Sequence, residues 1–327
     1  MPLLTIENLK THFPTPDGLV RAVDGVSLAI EPGSAVGIVG ESGSGKTVLN
    51  LSVMGLVPSP PAIIEAGAVR FEDEDLRAAS PERLRKIRGN RMAMIFQDPM
   101  TSLNPFLTIG DQLSEPLLVH KGASLAAARA RVVELLGEVG IPEPERALDV
   151  YPHHFSGGMR QRAMIAMALT CEPTLLIADE PTTALDVTIQ AQILELMQDI
   201  RRKHGTAIVF ITHDLGIAAG FCEEVFVMYA GKIVEHAPTG ALFENPAHPY
   251  TRALLESVPR LDVDTKEKLN FIEGAPPDLT RLPRGCSFAP RCGFVLDRCR
   301  SERPPLEQSA NGRSKACFVD IKGSATP

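Results

Sequence analysis

Eight consecutive residues carry the most specific chemistry in the sequence. Directly after the apolar run 35–39, the chain reads Gly-Glu-Ser-Gly-Ser-Gly-Lys-Thr. Glycines let successive backbone N–H groups turn toward an anion that bulkier side chains would block. In this pattern the lysine binds the β- and γ-phosphate oxygens of a nucleotide and the threonine ligates Mg²⁺. The residues of this phosphate loop are Gly40, Glu41, Ser42, Gly43, Ser44, Gly45, Lys46 and Thr47.

Two further apolar runs end in residues that suit phosphoryl chemistry. The run 175–178 is followed by Asp179 and Glu180, and the run 207–211 leads to His213. At the carboxyl end of a buried strand, Asp179 is placed to hold Mg²⁺, directly or through water, and Glu180 to polarise the attacking water. His213 is placed to reach the γ-phosphate. The alternatives are acids that cap a helix and a structural histidine.

A second anion-binding segment is predicted where a long Ala/Met/Leu-rich helix begins. Ser156 is a natural N-cap, and Gly157 and Gly158 leave backbone N–H groups open to an approaching anion. A Ser-Gly-Gly sequence taken alone is more often an ordinary loop. Phe13, which precedes a turn at 14–18, is placed to stack on a nucleotide base, and the alternative is a hairpin or core aromatic.

Four of the six cysteines lie close together near the carboxyl terminus. They are Cys286, Cys292, Cys299 and Cys317, separated by five, six and seventeen residues. In a reducing compartment such a group indicates a metal site more than a disulfide framework. Four thiolates hold either tetrahedral zinc or an iron–sulfur cluster. Because close Cys-x₂-Cys pairs are absent, the spacing favours a cluster over zinc, and a segment without metal is the third alternative.

The elements that must position these residues follow an α/β pattern. The runs before the phosphate loop, before Asp179 and at 92–96 are strand candidates, and the helical pattern after the loop disfavours a flexible linker. Strands at 4–6 and 26–30 flank the turn at 14–18, and a hairpin is predicted around Gly231. Helical spacing of apolar residues indicates a helical insertion between the strand at 92–96 and Tyr151; these residues are Leu125, Val132, Leu136 and Val139.

Composition limits the class of protein. A length of 327 residues favours about two domains, and 44% hydrophobic with 22% charged residues is typical of a globular chain. No apolar run approaches the ~18 residues that span a bilayer, and no signal peptide is recognisable, so a cytoplasmic location is expected. A net charge of −7 disfavours binding to nucleic acid.

Taken together, these motifs resemble those of the ATP-binding subunits of ABC transporters. The similarity is specific because six motifs occur in one order. They are the phosphate loop 40–47, the glutamine-loop residue Gln97, the signature Ser156–Gly158, the acidic pair Asp179 and Glu180, the loop 183–186 and His213. The chain departs from the usual pattern at Met159, where most members have Gln, and at Phe13, where Tyr is more usual.

Within that family the chain is most similar to the dipeptide, oligopeptide and nickel importer branch, and in particular to the D subunit of dipeptide permeases. The stretches 95–105, 178–192 and 248–251 and the four cysteines carry this similarity. It implies a P-loop ABC-type nucleotide-binding domain, with a mixed sheet core, an antiparallel β subdomain and a helical insertion at about 98–160. The expected domains are an ATPase domain at 1–243 and a small cysteine-bearing domain at 244–327.

The resemblance also implies a mechanism. Two ATP molecules are expected between two head-to-tail domains, each held by the phosphate loop of one and the signature of the other. Gln97 is expected to bond Mg²⁺ or water beside Thr47 and Asp179, and Asp186 to lie at the dimer seam. The cofactors are then ATP and Mg²⁺, with a 4Fe–4S cluster, or alternatively Zn²⁺, at the cysteines.

The partners implied are a related but different ATPase chain and two membrane-spanning permease subunits. An extracytoplasmic binding protein would supply the cargo, and the chain would lie at the cytoplasmic face of the membrane. Nickel or another small solute is an alternative cargo. The rival functions are a non-transport ABC ATPase of the DNA repair type and a degenerate subunit that binds ATP without hydrolysis. Retention of Glu180 and His213 disfavours the second.

Overall fold

The computed structural model describes residues 1–98, 102–183, 185–258, 272–309 and 312–321. Pro99, Met100, Thr101 and Ala184, which belong to stretches that carry the family resemblance, lie outside the described residues. The chain folds into two compact units. The phosphate-loop unit comprises Pro2–Ile30, Ala35–Arg77 and Phe210–Pro327, and the acidic-strand unit comprises Met1, Glu31–Ser34 and Ala78–Val209.

Most strands belong to the phosphate-loop unit. In chain order they are β1 (Leu4–Thr15), β2 (Gly18–Ile30), β3 (Ala35–Val39), β4 (Ile63–Glu65), β5 (Ala68–Phe71), β6 (Glu74–Asp75), β10 (Glu224–Tyr229), β11 (Lys232–Pro238), β12 (Glu307–Gln308) and β13 (Ser314–Lys315). Its helices are α1 (Lys46–Val53), α8 (Leu215–Phe221), α9 (Thr239–Glu244), α10 (Pro249–Glu256) and α11 (Asp297–Ser301).

The predicted amino-terminal hairpin is confirmed and is longer than expected. β1 and β2 pair antiparallel over their full lengths, and Thr15 lies opposite Gly18. β4 and β5 pair antiparallel with β1, and β6 pairs with β5. This forms the antiparallel β subdomain that the resemblance implied.

The second sheet of this unit is mixed. β10 runs parallel to β3 and antiparallel to β11, so the hairpin predicted around Gly231 is confirmed. β13 then pairs with β11, and β12 with β13. Strands from the cysteine-bearing segment therefore extend the sheet that also contains β3, the strand before the phosphate loop.

The acidic-strand unit is mainly helical. Its strands β7 (Met92–Ile95) and β8 (Leu175–Asp179) pair in parallel. Its helices are α2 (Pro81–Ile87), α3 (Ile109–Lys121), α4 (Leu125–Glu138), α5 (Pro144–Ala147), α6 (Gly157–Leu169) and α7 (Val187–His204). The chain passes from the acidic-strand unit to the phosphate-loop unit within the strand β9 (Ala207–Thr212).

The helical insertion lies between β7 and α6, as predicted. Val132, Leu136 and Val139 are buried at the spacing that predicted this helix, but Leu125 is 56% exposed. The expectation for Leu125 was wrong because it is the first residue of α4, and the first buried side chain of the helix is that of Ala128. Its N-cap Ser124 accepts the Ala127 N–H at 3.3 Å, which satisfies one of the free donors at the helix start.

The two cysteines outside the carboxyl-terminal group, Cys171 and Cys222, are buried, with 2% and 6% of their surfaces exposed, and act as small core side chains. Among the helices of the described residues, we find none with the length and hydropathy needed to cross a bilayer.

Candidate functional site

The phosphate loop is shaped by two close backbone approaches. A Cβ atom at Gly40 would lie 2.2 Å from the Met228 carbonyl oxygen, and one at Gly45 would lie 2.0 Å from the Ala22 carbonyl oxygen. Both glycines also have positive φ angles, 154° and 104°. Side chains at these two positions would clash with backbone, so the loop requires glycine there.

The lysine of the loop is buried and points back across it. Lys46 is 5% exposed, and its Nζ donates to the carbonyl oxygens of Gly40 (2.7 Å) and Glu41 (3.0 Å). Ser44 is 4% exposed, and its Oγ accepts and donates no hydrogen bond within the described part of the chain. An ammonium group, a free hydroxyl and the start of α1 therefore meet at one loop, which fits an anionic phosphate.

Glu41 is held through both its backbone and its side chain. Its backbone N–H donates to Tyr250 Oη at 2.8 Å. Its carboxylate accepts two bonds from the Arg291 guanidinium, at 2.7 and 2.9 Å. That pair raises the pKa of Arg291 above its ordinary value, so the guanidinium keeps its charge. Burial likewise raises the pKa of Tyr250, which stays a neutral phenol.

The other predicted residues of this unit lie at exposed or half-buried positions. Thr47 is exposed in the first turn of α1, and His213 is exposed directly after β9. Phe13 is half-buried on β1, opposite Val20. These positions leave Thr47 and His213 accessible to a ligand, while Phe13 stays compatible with both base stacking and a hairpin role.

The acidic end of β8 brings two predicted catalytic residues together. Gln97 Nε2 donates to Glu180 Oε2 at 3.1 Å, and Thr183 Oγ1 donates to the same oxygen at 2.9 Å. Glu180 has a φ of 47°, an uncommon conformation for a residue other than glycine. Asp179 is only 2% exposed. The end of β8 thus presents the buried carboxylate of Asp179 and the carboxylate of Glu180, which accepts hydrogen bonds from Gln97 and Thr183.

The signature segment forms a capped helix start, as predicted. Ser156 is the N-cap of α6, and its Oγ accepts the Met159 N–H at 3.3 Å. Gly157 has open space where a side chain would be. In the same helix, Gln161 is buried and donates to the Pro181 carbonyl at 2.6 Å, which ties α6 to the residues that follow the acidic pair.

Asp186 has a local structural role. It is the N-cap of α7, and its Oδ1 accepts the Ile189 N–H at 3.0 Å. The side chain is exposed. Helix capping therefore accounts for an aspartate at this position, and its expected place at a dimer seam stays a prediction.

The four clustered cysteines line one small cavity together with His248 and Pro304. All four are free thiols. Burial raises the pKa of Cys286 and Cys292, and raises the pKa of Cys317 to about 11; neighbouring cysteines add to each rise. Among the described residues, no group of three or more His, Cys, Asp or Glu side chains could hold a metal ion. As they lie in this structure, the four thiols are therefore not arranged as ligands of the predicted cluster or zinc ion.

Sequence reasoning missed three residues of these sites, Tyr250, Arg291 and Gln161. Tyr250 lies in the stretch 248–251 that carried the branch resemblance, and Arg291 precedes Cys292. Neither has a motif that points to the phosphate loop, because the contacts span 209 and 250 residues of sequence. Gln161 follows the signature by three residues, and its burial was the signal that the sequence could not provide.

Family comparison finds two matches along the chain. The family described as ABC transporter matches residues 23–183. The family described as oligopeptide/dipeptide transporter, C-terminal region, matches residues 234–299. The first match contains the phosphate loop and the acidic strand end, and the second contains Tyr250, Arg291 and three of the four clustered cysteines.

Similar proteins match over nearly the whole chain. The oligopeptide transport ATP-binding protein AppD of Bacillus subtilis (strain 168) is 51% identical over 317 residues, covering 97% of this chain and 96% of that protein. The dipeptide transport ATP-binding protein DppD of Escherichia coli (strain K12) is 48% identical over 327 residues, covering 100% and 99%. Among solved structures, the ATP-binding cassette MJ0796, a post-hydrolysis dimer bound to ADP and Pi, gives a TM-score of 0.64 at 29% identity, covering 72% of this chain and 98% of that one.

Proposed function

This chain belongs to the ATP-binding subunits of ABC transporters, in the branch of peptide importers, and from that premise we propose that it hydrolyses ATP to drive import of di- or oligopeptides. It has the ABC ATPase cassette fold, with a mixed sheet and helices. The names of the similar AppD and DppD proteins support peptides, over nickel or another solute, as the cargo.

The observation that carries the ATP site is the geometry of the phosphate loop. Gly40 and Gly45 approach neighbouring backbone too closely for a side chain, and buried Lys46 lies across the loop. We assign phosphate binding to residues 40–47 and base stacking to Phe13. In this assignment Thr47, Asp179 and Gln97 hold Mg²⁺, which would neutralise phosphate charge as the bond to the γ-phosphate breaks.

The hydrolytic roles rest on the acidic strand end. Glu180 orients and deprotonates the attacking water, and Gln97 donates a hydrogen bond to the Glu180 carboxylate. His213 contacts the γ-phosphate. The hydrogen bond between Gln97 and Glu180 supports this grouping. Ser156, Gly157 and Gly158 would contact the γ-phosphate bound by a partner subunit, because a capped helix start offers N–H donors to an anion.

The proposed assembly is peripheral to the membrane. The chain would pair with a paralogous ATPase and sit on two permease subunits at the cytoplasmic face, with an extracytoplasmic peptide-binding protein delivering cargo. ATP would close the pair and hydrolysis would release it. Asp186 would lie at the seam between the two ATPases and would also cap α7.

The cysteine-bearing segment carries a finer proposal. We keep residues 1–243 as the ATPase domain and 244–327 as a carboxyl-terminal domain whose four cysteines hold a 4Fe–4S cluster, with zinc as the alternative. Their position around one cavity supports this, although the thiols as placed are not arranged as metal ligands. Anaerobic purification followed by iron, sulfide and zinc analysis tests it, and a folded, metal-free protein would contradict it.

Trapping the ATP-bound state tests the transporter function. Full-length tagged protein with Glu180→Gln should bind ATP and lose hydrolysis by about 10²–10⁴-fold, since the water-activating base is gone. We expect it to co-purify from native membranes with two multi-span proteins and a second ATPase. Lys46→Ala is the control that should abolish trapping. Recovery of nucleic acid or repair proteins instead would favour the DNA repair class, and unchanged turnover would exclude Glu180 as the base.

A further inference from the structure

A short turn of the cysteine-bearing segment contacts the phosphate loop. It begins at Cys286 and ends at Cys292, with Phe288 and the 3₁₀ turn Ala289–Arg291 between them. The Ala289 N–H donates to the Cys286 carbonyl at 3.1 Å, and the Arg291 N–H to the Phe288 carbonyl at 3.0 Å. These two bonds fix the backbone, so the side chains of Phe288 and Arg291 leave the turn in defined directions.

Arg291 uses its guanidinium to hold Glu41. The side chain is 6% exposed, and its two terminal nitrogens bond the two carboxylate oxygens at 2.7 and 2.9 Å. Its remaining N–H groups reach the Glu273 carbonyl at 3.0 Å, the Ile272 carbonyl at 3.3 Å and Tyr229 Oη at 3.4 Å. A bidentate pair of this kind fixes orientation as well as distance. The carboxylate of Glu41 is therefore held in one place.

Phe288 supports the second anchor of the same residue. Its ring lies 5.3 Å from both the Tyr229 and Tyr250 rings, which are 4.5 Å from each other. Within this aromatic cluster, Tyr250 Oη accepts the Glu41 N–H at 2.8 Å. Glu41 is thus fixed through its side chain by Arg291 and through its backbone by a tyrosine that packs on Phe288.

The position of Glu41 affects the phosphate-binding lysine directly. The Glu41 carbonyl accepts a bond from Lys46 Nζ at 3.0 Å. A displacement of Glu41 would therefore move the acceptor that orients Nζ. A small error in such a cradle weakens binding, because the donors must point at one place.

We propose that Arg291 is a positioning residue for the nucleotide, and that the turn from Cys286 to Cys292 holds the phosphate loop in its phosphate-binding shape. Arg291 does this through Glu41 and has no contact with the nucleotide. This inference rests on the proposal that residues 40–47 bind ATP. The affinity for di- and triphosphate nucleotides would then depend on a segment more than 200 residues away in sequence.

The first experiment measures Mg-ADP affinity of the full chain by calorimetry. Arg291→Gln should weaken binding about tenfold, a typical size for coupling through a positioning contact. Arg298→Gln is the matched control. It removes the same charge from the same segment, but its partner Glu302 is exposed, so we expect wild-type affinity. Wild-type affinity of Arg291→Gln would overturn the proposal.

A double-mutant cycle separates positioning from general loss of structure. Glu41→Gln should also weaken binding, and the double variant should be no weaker than Arg291→Gln, because both single variants remove the pair between Glu41 and Arg291. Additive losses would overturn the proposal. Arg291→Lys should recover part of the affinity, since a lysine restores the charge without the bidentate geometry. In ATP hydrolysis, KM should rise while kcat changes little.

The test also distinguishes this inference from the proposed function. If Arg291→Gln fails to fold, Glu41→Gln carries the measurement, because it leaves the bonds of Arg291 to residues 272 and 273 in place. If neither the wild-type protein nor Lys46→Ala bound ADP, the proposed ATP site itself would be overturned. Wild-type binding that is lost with Lys46→Ala but unchanged with Glu41→Gln would overturn only the role of Arg291.

Discussion

The phosphate loop and the acidic strand end are anchored in different ways. Glu41 of the loop is held by Tyr250 and Arg291, which lie 209 and 250 residues away in sequence. Glu180 of the strand end is held by Thr183, three residues further on, and by Gln97. The Arg291 side chain is buried, whereas the hydrogen bonds that the Glu180 carboxylate accepts from Gln97 and Thr183 are exposed.

This difference matches the two tasks we propose. A loop anchored by a buried guanidinium keeps its shape, because water competes little for those hydrogen bonds. A carboxylate whose hydrogen bonds are open to solvent exchanges its partners with water easily, which suits a residue that we propose receives a water molecule. In this proposal the rigid phosphate loop binds the nucleotide. The end of β8, whose hydrogen bonds can exchange with water, activates the attacking water.

The largest expected effect tests the rigidity of the loop. Gly45→Ala places a methyl group 2.0 Å from a backbone oxygen, so we expect a loss of at least about 3 kcal/mol in the free energy of unfolding, with loss of nucleotide binding. Gly43→Ala is the control, because it has a positive φ of 77° but no atom within 4 Å; it should cost about 1 kcal/mol. Denaturant unfolding measures both, and equal losses would show that strain alone, not the close approach, explains them.

A second prediction concerns the helix that carries Tyr250. His248 caps α10 through Nδ1, and burial lowers its pKa to about 3. In the unfolded chain, His248 has its ordinary pKa near 6.5. The contribution of the buried, neutral imidazole to stability is therefore complete above pH 6.5 and is lost as the pH falls toward 3. We expect about 2 kcal/mol less stability at pH 5 than at pH 7 from this residue.

Denaturant unfolding at these two pH values checks this prediction. His248→Asn, which keeps a capping acceptor, should reduce the difference between pH 7 and pH 5. His153→Asn is the control at an exposed histidine and should leave that difference unchanged. If the free energy of unfolding of His248→Asn still fell as much between pH 7 and pH 5, the buried imidazole would not be the cause of that fall.

The smallest effect is expected in the acidic-strand unit. Gln161→Met removes the 2.6 Å bond to the Pro181 carbonyl and leaves that oxygen without its donor. We expect a cost of about 1–2 kcal/mol in unfolding free energy, with nucleotide affinity at the phosphate loop kept. Gln192→Met, which removes an exposed bond to Arg162, should cost less than half as much. A loss of ADP affinity in Gln161→Met would contradict the separation of the two regions.

Much of the fold could be predicted from local patterns. The hairpin at β1 and β2, the strands β7 and β8, the insertion helix α4 and the β10–β11 hairpin follow from periodicity and turn residues. Leu125 shows the limit of periodicity. Its spacing matches the buried face of α4, but a residue at a helix end is covered only if another element reaches it.

The site residues divide in the same way. The sequence determined which residues could do the chemistry, because phosphate binding needs glycines, a lysine and acids at short, regular spacing along the chain. It also determined the cap at Ser156, since capping is local, whereas the capping role of Asp186 was recognised only in the structure. The tertiary structure alone decided that Arg291 and Tyr250 hold Glu41 and that the cysteines surround one cavity. Such contacts depend on how distant segments pack, and no short-range pattern encodes the distance between them.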